Sequence, residues 1–213
     1  MRCEGPCECA QSKHDCRLVV ITGGPGAGKT ALLEVVKRNF CDHIAVLPEA
    51  AGIVFGGGFP RHQTPAGRRA AQRAIFRVQR ELETMAREEQ QSAVALCDRG
   101  TLDGLAYWPD ATDGWFTQLG TSAREEMARY AAVIHLRTPA PESYNHRNPL
   151  RIESAKEAAA IDERIAAAWR GHPRVHIIEQ APRFVDKVLR AIELIRAEVP
   201  ACCRHHPIAE MAS

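Results

Sequence analysis

Five short apolar runs punctuate the chain: Leu18 to Ile21, Ile44 to Leu47, Ala93 to Cys97, Val133 to Leu136 and Val175 to Ile178. They are rich in β-branched residues and do not alternate with polar ones, the pattern of a strand covered on both faces. Longer segments with helical periodicity lie between them. Thr30 to Arg38 reads as the first helix, and Ala66 to Gln90 as a long one, with Ala71, Ile75, Val78, Leu82 and Met85 at steps of three and four. Ser122 with Glu125 and Ser154 with Glu157 have capping-box spacing. They predict a helix ending near Arg129 and another running to Trp169, where Gly171 and Pro173 stop it. Pro182 suits the first position of a last helix carrying Val185, Val188, Ile192 and Ile195. Gly56-Gly57-Gly58, with Pro60 and Pro65 nearby, is a loop by composition.

Strands alternating with helices predict an α/β fold: a doubly wound, five-stranded parallel sheet with right-handed crossovers. In such a fold ligands bind beyond the carboxyl ends of the strands. The most chemically loaded residues of this chain directly follow its predicted strands.

The length of 213 residues favours one domain, over about 17–199. A Cys-rich tail over 1–16 and a second tail over 200–213 flank it, and a polar, mobile lid is expected over about 139–154. A chain of this size needs no disulfides to hold a core. The formal charge of +2, with acidic residues interspersed among 23 arginines and 5 lysines, argues against a nucleic-acid surface and assigns most arginines to solvated helix faces. No stretch approaches the ~18 apolar residues of a membrane span, and Met1 to Ala10 holds no signal-peptide core. A cytoplasmic location is the expectation. Cys3, Cys7, Cys9 and Cys16, and Cys202 and Cys203 beside His205 and His206, are zinc-ligand types. Their spacing is not that of paired C-x2-C arms, so the reading taken is of reduced, frayed tails.

Gly23-Gly24-Pro25-Gly26-Ala27-Gly28-Lys29-Thr30 matches G-x-x-x-x-G-K-[ST] in full, directly after a predicted strand and opening a predicted helix. Glycines there let successive amides face a phosphate, and the helix N-terminus adds partial positive charge. The nucleotide site is therefore assigned to Gly23, Gly24, Pro25, Gly26, Ala27, Gly28, Lys29, Thr30 and Ala31. Lys29 is to reach the β- and γ-phosphates, and the Thr30 hydroxyl is to bind Mg²⁺. Asp98, at the tip of the third strand, is a second Mg²⁺ ligand through water.

The residue after Asp98 is Arg99, not a glutamate able to polarise water, and no N/T-K-x-D base-reading segment follows a later strand. Both absences favour transfer to a bound acceptor. Glu49, just past the second strand, is the candidate general base. The Gly56 to Gly58 loop, Tyr107-Trp108-Pro109 and Trp115 are candidate walls of an acceptor pocket, and Asp103 a candidate acceptor contact. Arg147 and Arg151, between the fourth strand and the Ser154 cap, are candidates to close over the transferring group. The first reading is a small-molecule kinase using Mg²⁺ and ATP, or GTP, with base contacts near Gln180 to Pro182. The second is a nucleotide-binding regulator with slow or no hydrolysis.

Val20 to Thr30, Pro48-Glu49-Ala50-Ala51, Asp98-Arg99-Gly100 and Arg147 to Glu153 give the chain, from about Arg17 to Val199, a family resemblance. It resembles kinase-like P-loop domains of the AAA type, the group of NadR-type nicotinamide riboside kinases and of some eukaryotic GTP- and phosphatidic-acid-binding trafficking proteins. Pro48-Glu49 also resembles deoxynucleoside kinases, with Asp98-Arg99-Gly100 where those enzymes have Glu-Arg-Ser. The resemblance implies a nucleoside- or nucleotide-kinase fold, Glu49 as base and Arg99 as a phosphate or acceptor contact.

Overall fold

In a computed structural model, described here over residues 14–139, 154–181 and 183–200, the five apolar runs form one sheet. Its strands are β1 (Arg17–Thr22), β2 (Ile44–Leu47), β3 (Val94–Asp98), β4 (Tyr130–Leu136) and β5 (Val175–Ile178), in the order β2-β3-β1-β4-β5. Every pairing is parallel, and the register sets Ile21 beside Asp98 and Thr22 beside His135. The carboxyl ends of the three central strands thus lie on one edge, where the chemistry collects.

Alternation along each strand divides the core between the two faces. Val19, Ile21, Leu96 and Ile134 pack with α1 (Lys29–Asn39) and α7 (Phe184–Glu198). Leu18, Val20, Ala95, Cys97 and Val133 face the other way, against α6 (Ala155–Trp169), the long α3 (Pro65–Glu89) and a 3₁₀ helix (Thr101–Tyr107). Both layers are apolar because neither face of the central strands meets water. Truncating one such fully buried side chain, Ile134→Ala for instance, is a change of about 2–5 kcal/mol.

Local signals account for most helix starts. Thr64 accepts the Gly67 amide ahead of Pro65, and the Ser154–Glu157 capping box is complete in both directions. Ser122 caps the short α5 (Ala123–Met127), which stops at Met127 because β4 begins at Tyr130, earlier than Val133. Three further elements carry no legible period because they are short. They are α2 (Ala50–Gly56), the 3₁₀ helix and α4 (Thr112–Leu119). Gly56, expected in a loop, is the last residue of α2. The final helix starts at Phe184 with Arg183 as its N-cap, and Pro182 lies outside the described residues.

Two expectations are corrected by packing. Cys16, grouped with the N-terminal tail, is buried in the core beneath the sheet, and burial pushes its thiol up. The arginines of α3 are not merely solvated. Arg68 and Arg77 donate to the carbonyls of Tyr107 and Leu119, Arg69 and Arg80 pair with Asp110 and Glu126, and Arg73 donates to Gln118. These bonds tie α3 to the segment that carries α4 and α5.

Among the described residues no helix is long and apolar enough to cross a membrane. No group of three or more His, Cys, Asp or Glu is placed to hold a metal among them either. The lid residues 140–153 and the cysteines at 3, 7, 9, 202 and 203 lie outside the described residues.

Candidate active site

The turn from β1 into α1 has the shape its glycines allow. Gly23 has φ 135° and packs so closely under β4 that a Cβ would stand 2.0 Å from the Leu136 carbonyl oxygen. Gly28, the N-cap of α1, has φ 97°. An L side chain is strained at both positions. The amides of Gly26, Gly28, Lys29 and Thr30 have no hydrogen-bond partner among the described residues. Consecutive unpaired amides at a helix N-terminus form a ready anion site.

Lys29 is 8 % exposed and donates to the carbonyls of Gly23 (2.8 Å) and Gly24 (3.1 Å). Burial, with the Arg99 charge as a second cause, lowers its ammonium to about 8. The Gly24 amide turns outward to Asp162 Oδ1, at 2.7 Å, so the inward-facing amides begin at Gly26.

Asp98 ends β3 with Oδ1 buried and without a hydrogen-bond partner among the described residues, and burial raises its carboxyl despite the nearby Lys29. An orphaned carboxylate oxygen next to a phosphate loop suits a hard cation. With the Thr30 hydroxyl it supplies the oxygen donors that Mg²⁺ prefers, the remainder coming from phosphate and water. The residues present therefore fit Mg²⁺.

Glu49 is held by its position at the N-cap of α2, immediately past β2. Its Oε1 accepts from Arg99 Nε at 2.6 Å. Burial alone would raise the Glu49 carboxyl, but the charge and hydrogen bond of Arg99 hold it below the ordinary carboxylate range. Arg99 has φ 72°, an uncommon conformation for a non-glycine residue. Its guanidinium also reaches the Gly23 carbonyl (3.5 Å) and Asp103 (3.9 Å). Both oxygens of Asp103 are spent on the protein: Thr22 Oγ1 and Trp169 Nε1 each donate at 2.6 Å. Asp103 thus anchors Arg99 and the 3₁₀ helix, while still lining the cleft in which the acceptor contact is expected.

These groups line one cleft of about 390 Å³, with Lys29, Thr30, Asp98, Glu49, Arg99 and Asp103 all on its wall. Tyr107 and Trp115 line it as expected. Trp108 and Gly56 to Gly58 are not among its lining residues, and Trp108 packs edge-on against Trp115. Sequence reasoning missed the wall made by α3, where Gln72, Ile75, Phe76 and Gln79 follow at i, i+3, i+4 and i+7. The signal was present as two glutamines beside an apolar stripe. Gln79 donates to Glu83, whereas the side chain of Gln72, 9 % exposed, has no hydrogen bond among the described residues. Gln180, expected near a nucleobase, donates to the Arg137 carbonyl. Arg147 and Arg151 lie outside the described residues.

A family model described as an AAA domain matches residues 18–185. No curated protein matches. Among solved structures, the chain is similar to thymidylate kinase from Candida albicans at 12 % identity and TM-score 0.59, covering 86 % of this chain and 92 % of that one. Thymidylate kinase from Ehrlichia chaffeensis aligns at 11 % identity and TM-score 0.57, covering 84 % and 98 %. At such identity the likeness is one of fold.

Proposed function

The chain belongs to the AAA-domain family in its kinase-like P-loop form, and from that premise we propose that it transfers the γ-phosphoryl group of ATP to a small hydroxyl-bearing acceptor. The observation that carries this reading is the sharing of one cleft by the phosphate loop and Glu49. A donor and an acceptor bound there are neighbours, and positioning supplies much of the catalysis of phosphoryl transfer.

In the proposed reaction the acceptor hydroxyl donates to Glu49, which orients it and takes its proton as the new O–P bond forms. The bond from the γ-phosphorus to the bridging oxygen breaks, and its electron pair leaves with the diphosphate. Held ionised by Arg99, Glu49 contributes orientation more than basicity. Lys29 and the amides of Gly26, Gly28, Lys29 and Thr30 hold the phosphates, and Arg99 adds charge where Glu49 meets them. Mg²⁺, on Thr30 and Asp98, would neutralise phosphate charge. Arg147 and Arg151 remain assigned to closure over the transferring group. The same cleft is also lined by Phe76, Tyr107, Trp115 and Gln72, aromatic faces with an amide that support a flat, hydrogen-bonding acceptor of nucleoside-like build. GTP is the alternative donor, and the cytoplasm the expected location.

The test is a screen of hydroxyl metabolites, nucleosides included, with γ-labelled ATP. An acceptor is expected whose labelling falls about 10²–10⁴-fold in Glu49→Gln while ATP affinity stays within about twofold. Full transfer by Glu49→Gln overturns the assignment of the base. ATP binding with no acceptor labelled returns the chain to the regulatory reading.

A further inference from the structure

The phosphate loop is held from behind by three side chains outside its own motif. Asp162 of α6 accepts the Gly24 amide at 2.7 Å, and also meets His135 and Arg137, each at 2.9 Å. The Thr138 hydroxyl donates to the Pro25 carbonyl at 3.2 Å. Lys187 of α7 donates to the Ala27 carbonyl at 2.9 Å and to the Arg137 carbonyl at 2.5 Å.

In a trans peptide group the carbonyl and the following N–H point in opposite directions. A carbonyl fixed from outside the loop therefore turns the next amide inward. The Pro25 carbonyl shares its peptide with the Gly26 amide, and the Ala27 carbonyl with the Gly28 amide. Both amides are without partners among the described residues. Lys187 is 2 % exposed and has no carboxylate within ion-pair distance among the described residues, with Asp162 and Glu179 acting on it only at longer range. A buried ammonium without an ion pair is a poor way to stabilise a fold. It is a good way to polarise a peptide, because the cation on the carbonyl oxygen draws electron density from the N–H at the other end.

We propose that Lys187 is a positioning residue of the nucleotide site: from behind the loop it orients and polarises the Ala27–Gly28 peptide, so that the Gly28 amide binds phosphate more strongly. The assignment rests on the nucleotide-binding reading above and adds to it a cation that no part of the G-x-x-x-x-G-K-[ST] motif contains. At neutral pH Lys187 keeps most of its charge, since burial lowers its ammonium only to about 8.

The experiment measures binding of inorganic tripolyphosphate with Mg²⁺, a probe with no base or sugar, by calorimetry on the full chain. Lys187→Met is expected to weaken binding about tenfold, in the range of one charge-assisted hydrogen bond, and to melt at or above the wild-type temperature. A lysine with only a structural role gives the reverse, a lower melting temperature and unchanged affinity, and that result overturns the proposal. Lys187→Gln keeps a neutral donor and is expected to fall between the two. Should Lys187→Met not fold, Lys187→Gln decides, and wild-type affinity in it refutes the polarising charge. Wild-type protein that binds no tripolyphosphate removes the nucleotide reading itself, and this assignment with it.

Discussion

Replacing Lys29 by methionine moves stability and binding in opposite directions. In the free protein the ammonium is 8 % exposed and lowered from 10.5 to about 8. That depression corresponds to a penalty of about 3 kcal/mol on the charged form. Methionine of similar length removes the penalty but leaves the Gly23 and Gly24 carbonyls without their donor, at about 1–3 kcal/mol. The net expectation at pH 7 is a variant between equal to wild type and about 2 kcal/mol more stable, a rise of up to about 6 °C for a chain of this size. The unfolded chain keeps its proton up to about 10.5 while the folded protein releases it near 8. Wild-type stability therefore gains between those pH values, and its deficit against the variant closes there. Mg·ATP at 100 times its dissociation constant should stabilise wild type by about 2.7 kcal/mol, with no such gain in the variant. Thermal melts from pH 7 to 10, with and without nucleotide, read all of this. A variant melting well below wild type at every pH, and still stabilised by Mg·ATP, refutes the reasoning.

Three further outcomes are expected. Because kcat/KM reports the free enzyme, its value for ATP should fall above pH 8 as Lys29 loses charge, while kcat falls only at higher pH; a pH–rate profile flat in kcat/KM to pH 10 contradicts this. Arg99→Met removes the main group holding Glu49 down and leaves the charges of Lys29 and Arg61 against burial, so its carboxyl rises and the acid limb of activity moves to higher pH; an unmoved limb shows that Glu49 is not the titrating group. Asp103→Asn disturbs the bonds from Thr22 and Trp169 and the anchor of Arg99, and should cost about 1–3 kcal/mol in chemical denaturation; an unchanged midpoint removes its anchoring role.

The sheet was legible in the sequence because its information is local. Five runs of buried-strand character and one eight-residue motif in strand–turn–helix context fix the phosphate loop to the sheet edge. Glu49 and Asp98 could be named as candidates, since Asp98 ends one predicted strand and Glu49 lies just past another. The acceptor wall was not legible, because the stripe of α3 serves two surfaces at once. Ile75 reads as core whether it faces the sheet or the cleft, and only Gln72 and Gln79 mark the difference. The anchoring bonds of Asp103 were not legible either, because those to Thr22 and Trp169 span 81 and 66 residues. The bonds behind the loop, from Asp162 and Lys187, span 138 and 160 residues and leave no trace in spacing.

In the proposed function the amides of Gly26, Gly28, Lys29 and Thr30, with the Lys29 ammonium, hold the phosphates of a nucleotide. Calorimetric titration of the full chain with Mg·ATP and Mg·GTP tests it most directly. A saturable one-to-one association heat is expected with at least one of the two, retained in Glu49→Gln and lost in Lys29→Met. Absence of heat with both nucleotides, or the same heat in Lys29→Met as in wild type, contradicts it.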